Sequence, residues 1–184
     1  MRVQILYLHM KIFLIGYMGS GKSTIGKLLA EKMKMNFIDL DEYIEKKTGM
    51  TITDTFKIQG EKKFRLIEHN SLKELIEKTN VVISLGGGTP CFHNNMELVN
   101  KNGISVYLST NADILAERLL KVRNSRPLVR DLNEKDISSF IETNLKKRLP
   151  FYEKANYTLQ SGNKSAEELA EEIENIIRKK KWSN

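Results

Sequence analysis

The stretch Gly16-Tyr17-Met18-Gly19-Ser20-Gly21-Lys22-Ser23-Thr24 fits the pattern G-x-x-x-x-G-K-[ST] at every position. Glycines at this spacing let a loop fold back so that successive backbone N–H groups point at phosphate oxygens. A helix that starts directly after the loop adds the partial positive charge of its N-terminus. Lys22 then reaches the β- and γ-phosphates, and the Ser23 hydroxyl can hold Mg²⁺. Gly19, Ser20, Gly21, Lys22, Ser23 and Thr24 are therefore the candidate contacts to a nucleoside triphosphate. A dinucleotide fingerprint is excluded, because Gly19-Ser20-Gly21 leads into Lys22-Ser23-Thr24 and not into x-x-G.

Further residues could serve a second substrate. Asp39 and Asp41 follow an apolar run, at the strand end where open α/β sheets bind ligands. Alternation along a strand would put both carboxylates on one face. One could hold Mg²⁺ through water, and the other could accept a proton from a substrate hydroxyl; Asp41 would also serve as the N-cap of the following helix. Gly86-Gly87-Gly88 ends another apolar run, and is either a site of close approach or a plain loop. Arg65, Arg126 and Arg148 carry guanidinium forks that pair with carboxylates and phosphates, although each alone reads as a surface residue. Arg65 and Glu68, three apart, could form only a helix-surface pair. Lys121, Arg123, Arg126 and Arg130 surround Pro127 and suggest a basic flap, or a solvated loop. His9, His69, His93 and Cys91 lack the spacing of metal ligands.

The elements that must position these groups follow from periodicity. Ile12–Ile15, Asn36–Leu40, Val81–Leu85, Ile104–Leu108 and Asn156–Leu159 read as strands. Helical patterns separate them: one opening at Thr24, one from about Asp41 to Thr48 stopped by Gly49, and a longer one carrying Phe64, Ile67, Leu72, Leu75 and Ile76. The last has Ser165 and Glu168 as a capping box and a stripe of Leu169, Ile173, Ile176 and Ile177. Alternating strands and helices imply a parallel sheet with helices on both faces.

The bulk properties bound the answer. With 184 residues the chain is one domain by default and can bury about 70% of its unfolded surface. Thirty Lys and Arg against 23 Asp and Glu leave a net charge of +7, which suits an anionic ligand. Nucleic-acid binding is a weak alternative, since the run Arg178-Lys179-Lys180-Lys181 has no aromatic interleaving beyond Trp182. The single cysteine suggests a reducing, cytoplasmic setting, and no apolar stretch approaches the ~18 residues of a membrane span. Met10-Lys11 directly before the first strand suggests that residues 1–9 are an N-terminal extension.

Taken together, the ordered motifs resemble the shikimate kinases, small P-loop kinases of aromatic amino-acid biosynthesis. The matching residues are Gly16 to Thr24, Asp39 and Asp41, Gly60-Glu61 with Phe64-Arg65 and Glu68, Gly86-Gly87-Gly88, Arg126-Pro127-Leu128, and Arg148 with Phe151-Tyr152-Glu153-Lys154-Ala155. The match runs from about Lys11 to Gln160. The resemblance implies a three-layer fold with a five-stranded parallel sheet in the order 2-3-1-4-5, a mobile lid at about residues 121–135, and usually a monomer. It implies phosphorylation of the 3-hydroxyl of shikimate by ATP and Mg²⁺. Asp41 would be the base, with Lys22 and Arg126 completing the catalytic set. Arg65 and Arg148 would grip the substrate carboxylate, and Gly87 and Gly88 would lie near its hydroxyls. Ser23 and Asp39 would serve Mg²⁺. Arg118 would pack on the adenine, at a longer spacing from Arg126 than the family pattern, and Leu40 replaces the small hydroxyl residue that members often carry between the acids. A gluconate kinase or a nucleoside-monophosphate kinase is the nearest rival, and neither should combine the triple glycine with both arginines.

Overall fold

The computed structural model describes residues 9–121 and 134–182. Five strands form one parallel sheet: β1 (Lys11–Ile15), β2 (Asn36–Asp39), β3 (Val81–Ser84), β4 (Ile104–Ser109) and β5 (Tyr157–Gln160), in the spatial order β2-β3-β1-β4-β5. β1 occupies the centre, is paired on both edges, and has helices packed over both faces. That is why Ile12-Phe13-Leu14-Ile15 is an unbroken apolar run instead of an alternating one.

The period-2 pleat divides that run between two cores. Phe13, Ile15 and Tyr17 pack on one face with α2 (Leu40–Thr48), α3 (Ile52–Ile76), α4 (Asn95–Asn102), α5 (Ala112–Lys121) and α6 (Glu134–Tyr152). Ile12 and Leu14 pack on the other face with α1 (Lys22–Met33) and α7 (Ala166–Trp182). Helix α1 lies so close to the sheet that a Cβ on Gly26 would come within 2.5 Å of the Phe37 ring. The α7 stripe faces its core as expected, and the capping box forms: the Ser165 N–H donates to Glu168 at 2.7 Å, and the Glu168 N–H to Ser165 Oγ at 3.1 Å.

Strand boundaries shift from the expected ones by a residue, with one consequence. β2 stops at Asp39, and Asp39 rather than Asp41 caps α2, accepting from the backbone N–H of Asp41 at 3.0 Å. Asp41 lies inside the first turn of α2, so helix geometry and not strand alternation places its carboxylate. Helix α3 is interrupted at Gly60 (φ 76°, ψ 164°), which turns the chain between its two halves.

Because every strand runs the same way, all five carboxyl ends reach one edge of the sheet. The loops and turns after Ile15, Asp39, Ser84, Ser109 and Gln160 gather there. The expected N-terminal extension, His9 apart, lies outside the described residues. So do Arg126 and the central part of the expected lid.

Candidate active site

The loop between β1 and α1 is shaped by its glycines. Gly19 (φ 82°) and Gly21 (φ 89°) are in the left-handed region, which side-chain-bearing residues rarely adopt. Gly21 precedes α1 without any side-chain cap, and no acid stands in the first turn. The first N–H groups of α1 are thus left for an anion. Lys22 is buried, with its Nζ donating to Gly16 O and Tyr17 O at 2.9 Å each, so the ammonium is held against the loop it serves.

Ser23 Oγ donates to Asp39 Oδ2 at 2.6 Å, and Ser84 Oγ lies 3.5 Å from it. A hydroxyl and a carboxylate at the phosphate loop form a hard oxygen donor set. Mg²⁺ is commonly held by one or two such groups together with water and substrate phosphates. Among the described residues no group of three or more His, Cys, Asp or Glu could form a protein-only cage. The residues present fit a phosphate-bound Mg²⁺.

The triple glycine after β3 is a site of close approach. None of the three has a positive φ, so the requirement is space and not dihedral freedom. A Cβ on Gly86 would come 2.8 Å from Asp41 Oδ1. One on Gly87 would come 3.2 Å from Arg148 Nη1, 3.4 Å from the Met18 N and 3.5 Å from Gly16 O. One on Gly88 would come 2.7 Å from both Nη1 and Nη2 of Arg65. Three consecutive bare residues therefore admit the candidate base, the phosphate loop with one arginine, and the other arginine.

Arg65 is not a helix-surface residue. It and Glu68 are 9% and 1% exposed, and Arg65 Nη1 donates to Glu68 Oε2 at 2.9 Å. Thr89 Oγ1 in turn donates to Glu68 Oε1 at 2.6 Å, which ties α3 to the turn that follows the glycines. Glu61 accepts from Arg65 Nε and Nη2 at 3.3 Å. Arg148, near the end of α6, rests with its guanidinium 5.1 Å from the Tyr17 ring centroid. The next turn of α6 carries Tyr152, fully buried, whose hydroxyl donates to Gly87 O at 2.5 Å. Burial pushes the Tyr152 phenol far above the usual tyrosine range, and the neighbouring Arg148 guanidinium offsets part of that rise. Burial likewise raises the Cys91 thiol, against the pull of Arg148 and then Arg65. One thiol feels both guanidiniums, in keeping with their approach to adjacent residues of one glycine seam.

Arg118 lies across the phosphate loop from these groups. Its Nη1 donates to Gly19 O at 3.3 Å, and it lines a cavity of about 200 Å³ shared with Thr24, Lys164, Ala166 and Leu169. One wall of the cavity comes from Lys164, in the turn after β5, and from Ala166 and Leu169 at the start of α7. There Thr110 Oγ1 and Ser161 Oγ, 2.6 Å apart, tie the turn to the end of β4. Sequence reasoning missed this wall, and it missed Ser84, Thr89 and the role of Tyr152 as an anchor. Ser84 and Thr89 flank the glycines and carry hydroxyls, a signal that could have found them. Position 152 carried no such signal, because its contact with Gly87 spans 65 residues.

A phosphate loop on a parallel sheet in this strand order, with an acid and two guanidiniums at the same edge, defines a P-loop kinase. The shikimate kinase family model matches residues 18–178. A shikimate kinase of Azobacteroides pseudotrichonymphae is 51% identical over 147 residues, which is 79% of this chain and 86% of that protein. Among solved structures, the shikimate kinase of Bacteroides thetaiotaomicron has a TM-score of 0.88 at 39% identity, covering 92% of this chain and 98% of its own. The shikimate kinase of Acinetobacter baumannii in complex with shikimate has a TM-score of 0.89 at 35% identity, covering 97% and 98%. The chain belongs to the shikimate kinase family. No helix among the described residues is long and apolar enough to cross a membrane.

Proposed function

We propose that this chain transfers the γ-phosphoryl group of ATP to the 3-hydroxyl of shikimate, giving shikimate 3-phosphate and ADP in the route to chorismate and the aromatic amino acids. The observation that carries this reading is the meeting of Arg65 and Arg148 on Gly88 and Gly87, beside the loop that holds Lys22. Two guanidinium forks suit a carboxylate, and orienting the acceptor through it separates a hydroxy acid from a neutral sugar. The family membership and the shikimate complex of the Acinetobacter relative point the same way.

In this reading the oxygen of the acceptor hydroxyl forms a bond to the γ-phosphorus as the bond to the β–γ bridging oxygen breaks. Asp41, beside Gly86, takes the hydroxyl proton. Gly87 and Gly88 leave room for the acceptor's hydroxyls. The first-turn N–H groups of α1, with Gly19, Ser20, Gly21 and Thr24, hold the phosphates, and Lys22 neutralises charge on the transferring group. Ser23 and Asp39 would hold Mg²⁺, which supplies charge neutralisation to the phosphate oxygens. Arg118 would stack on the base at the 200 Å³ cavity, and Arg126, on a lid over residues 121–135, would close on the phosphates. We place this chemistry in a single-domain cytoplasmic monomer that acts on small molecules and uses neither nucleic acid nor membrane as a partner.

The test is an ADP-release assay with ATP, Mg²⁺ and a panel of hydroxy acids, sugars and nucleoside monophosphates. Shikimate should be the strongly preferred acceptor, and Arg148→Lys should raise its KM with little change in the KM for ATP. Preference for gluconate or a nucleoside monophosphate would overturn the assignment.

A further inference from the structure

Phe92 lies just after the glycine seam, and nothing in the reaction as described requires an aromatic residue there. Its ring centroid is 4.3 Å from Arg65 Cζ, closer than those of Phe64 at 5.1 Å and Phe56 at 5.4 Å. The chain bends sharply directly after that ring. His93 (φ 51°) and Asn94 (φ 55°) are consecutive non-glycine residues in the left-handed region, a conformation that persists only where surrounding contacts impose it. Asn95, fully buried, supplies those contacts. Its backbone N–H donates to Phe92 O at 2.9 Å, its Nδ2 donates to Thr89 O at 2.9 Å, and its Oδ1 faces His69 Nδ1 at 2.6 Å. Since Nδ2 is the donor to Thr89 O, Oδ1 accepts, and His69 carries its proton on Nδ1.

We propose that Phe92 is a positioning residue for Arg65, and that the left-handed turn at 93–94 exists to hold it. The inference rests on Arg65 gripping the acceptor's carboxylate. A guanidinium offers five in-plane N–H groups and two faces. Glu61 takes Nε–H and one Nη2–H, and Glu68 takes one Nη1–H, so two of the five are left for an incoming anion. Phe92, with its ring centroid 4.3 Å from Cζ, takes space beside the guanidinium that water would otherwise fill. With that side dry and the aromatic ring favouring the cation, Arg65 is held in one orientation and presents its free edge to the carboxylate. The ring thus fixes the geometry of acceptor binding without touching the reacting atoms.

The test is steady-state kinetics on the whole chain with three variants. Phe92→Leu keeps apolar bulk but removes the π face, and should raise the KM for shikimate roughly five- to thirtyfold, the range from an exposed to a desolvated cation–aromatic contact. Its kcat should stay within about twofold and its KM for ATP should not change. Phe92→Trp restores the π face and should return the shikimate KM to within about twofold of the parent. A Phe92→Leu variant with the parent KM, or a Phe92→Trp variant as impaired as Phe92→Leu, overturns the inference alone. The third variant, Arg65→Ala, separates the two levels: an unchanged shikimate KM there overturns both this inference and the acceptor-site reading beneath it.

Discussion

Replacing Gly88 by alanine would test whether the glycine seam serves the acceptor site or only the chain's path. Gly88 has φ −90° and ψ −21°, ordinary right-handed backbone that alanine adopts without strain. The change should therefore introduce no backbone strain of its own. The new Cβ, however, would sit 2.7 Å from Nη1 and Nη2 of Arg65 and 2.9 Å from Cζ, which no carbon tolerates. A free arginine would swing aside at little cost. This one is 9% exposed, held by Glu68 at 2.9 Å and covered by Phe92 at 4.3 Å, so yielding means leaving its working position. Displacement would forfeit a hydrogen-bonded charge contact to the acceptor, about 1.5–3 kcal/mol. That corresponds to roughly a 10- to 100-fold rise in the shikimate KM. The KM for ATP should not move. The assay is paired kinetics on Gly88→Ala, Arg65→Ala and the double variant. Because the first acts through the second residue, the double variant should be no worse than Arg65→Ala alone. Additive losses, or a parent-like KM in Gly88→Ala, would refute the reasoning.

Three other outcomes are expected. Asp41→Asn should lower kcat by about 10²–10⁴-fold, the usual worth of a general base, with the KM for ATP unchanged; parent-like turnover would remove Asp41 from the chemistry. Gly26→Ala should destabilise the fold by about 1–3 kcal/mol, since its Cβ would meet the Phe37 ring at 2.5 Å and Leu14 at 3.2 Å; this reads as a melting temperature lower by roughly 2–10 °C. Finally, burial raises the phenols of Tyr17, Tyr107 and Tyr152 above their unfolded value of 10.0, so above that pH the folded state binds more protons than the unfolded one. Stability is then fully present below pH 10.0 and falls as pH rises beyond it, by up to about 1.4 kcal/mol per pH unit per group. Urea midpoints between pH 9 and 11 should show the fall, and Tyr152→Phe should make it shallower.

Local pattern carried much of this. The phosphate loop could be read residue by residue, because its function lies in backbone N–H groups whose directions a short contiguous segment dictates. The strand order was implied by resemblance and the layers by alternation of periods, and both are what the structure has. The capping box at Ser165 and Glu168 formed as read, since both partners lie within a single turn. The cap on α2 did not, because competition between Asp39 and Asp41 for one helix start depends on where β2 loses its partner β3.

What the chain's order of residues determined by itself is the set of local chemistries: a triphosphate cradle, paired acids, bare glycines and forked cations. Which of them meet was decided only in three dimensions. Arg65 and Glu68 look like a solvated helix pair until packing buries them. The choice between loop and close approach at Gly86-Gly87-Gly88 is settled by atoms from α2, α3 and α6. Phe92 has no meaning apart from a guanidinium 27 positions earlier in the chain. The physical reason is that hydrogen-bond and phosphate-loop geometry act over a few residues. Burial and steric exclusion at this edge depend on elements brought together by a parallel sheet, and sequence separation says nothing about those distances.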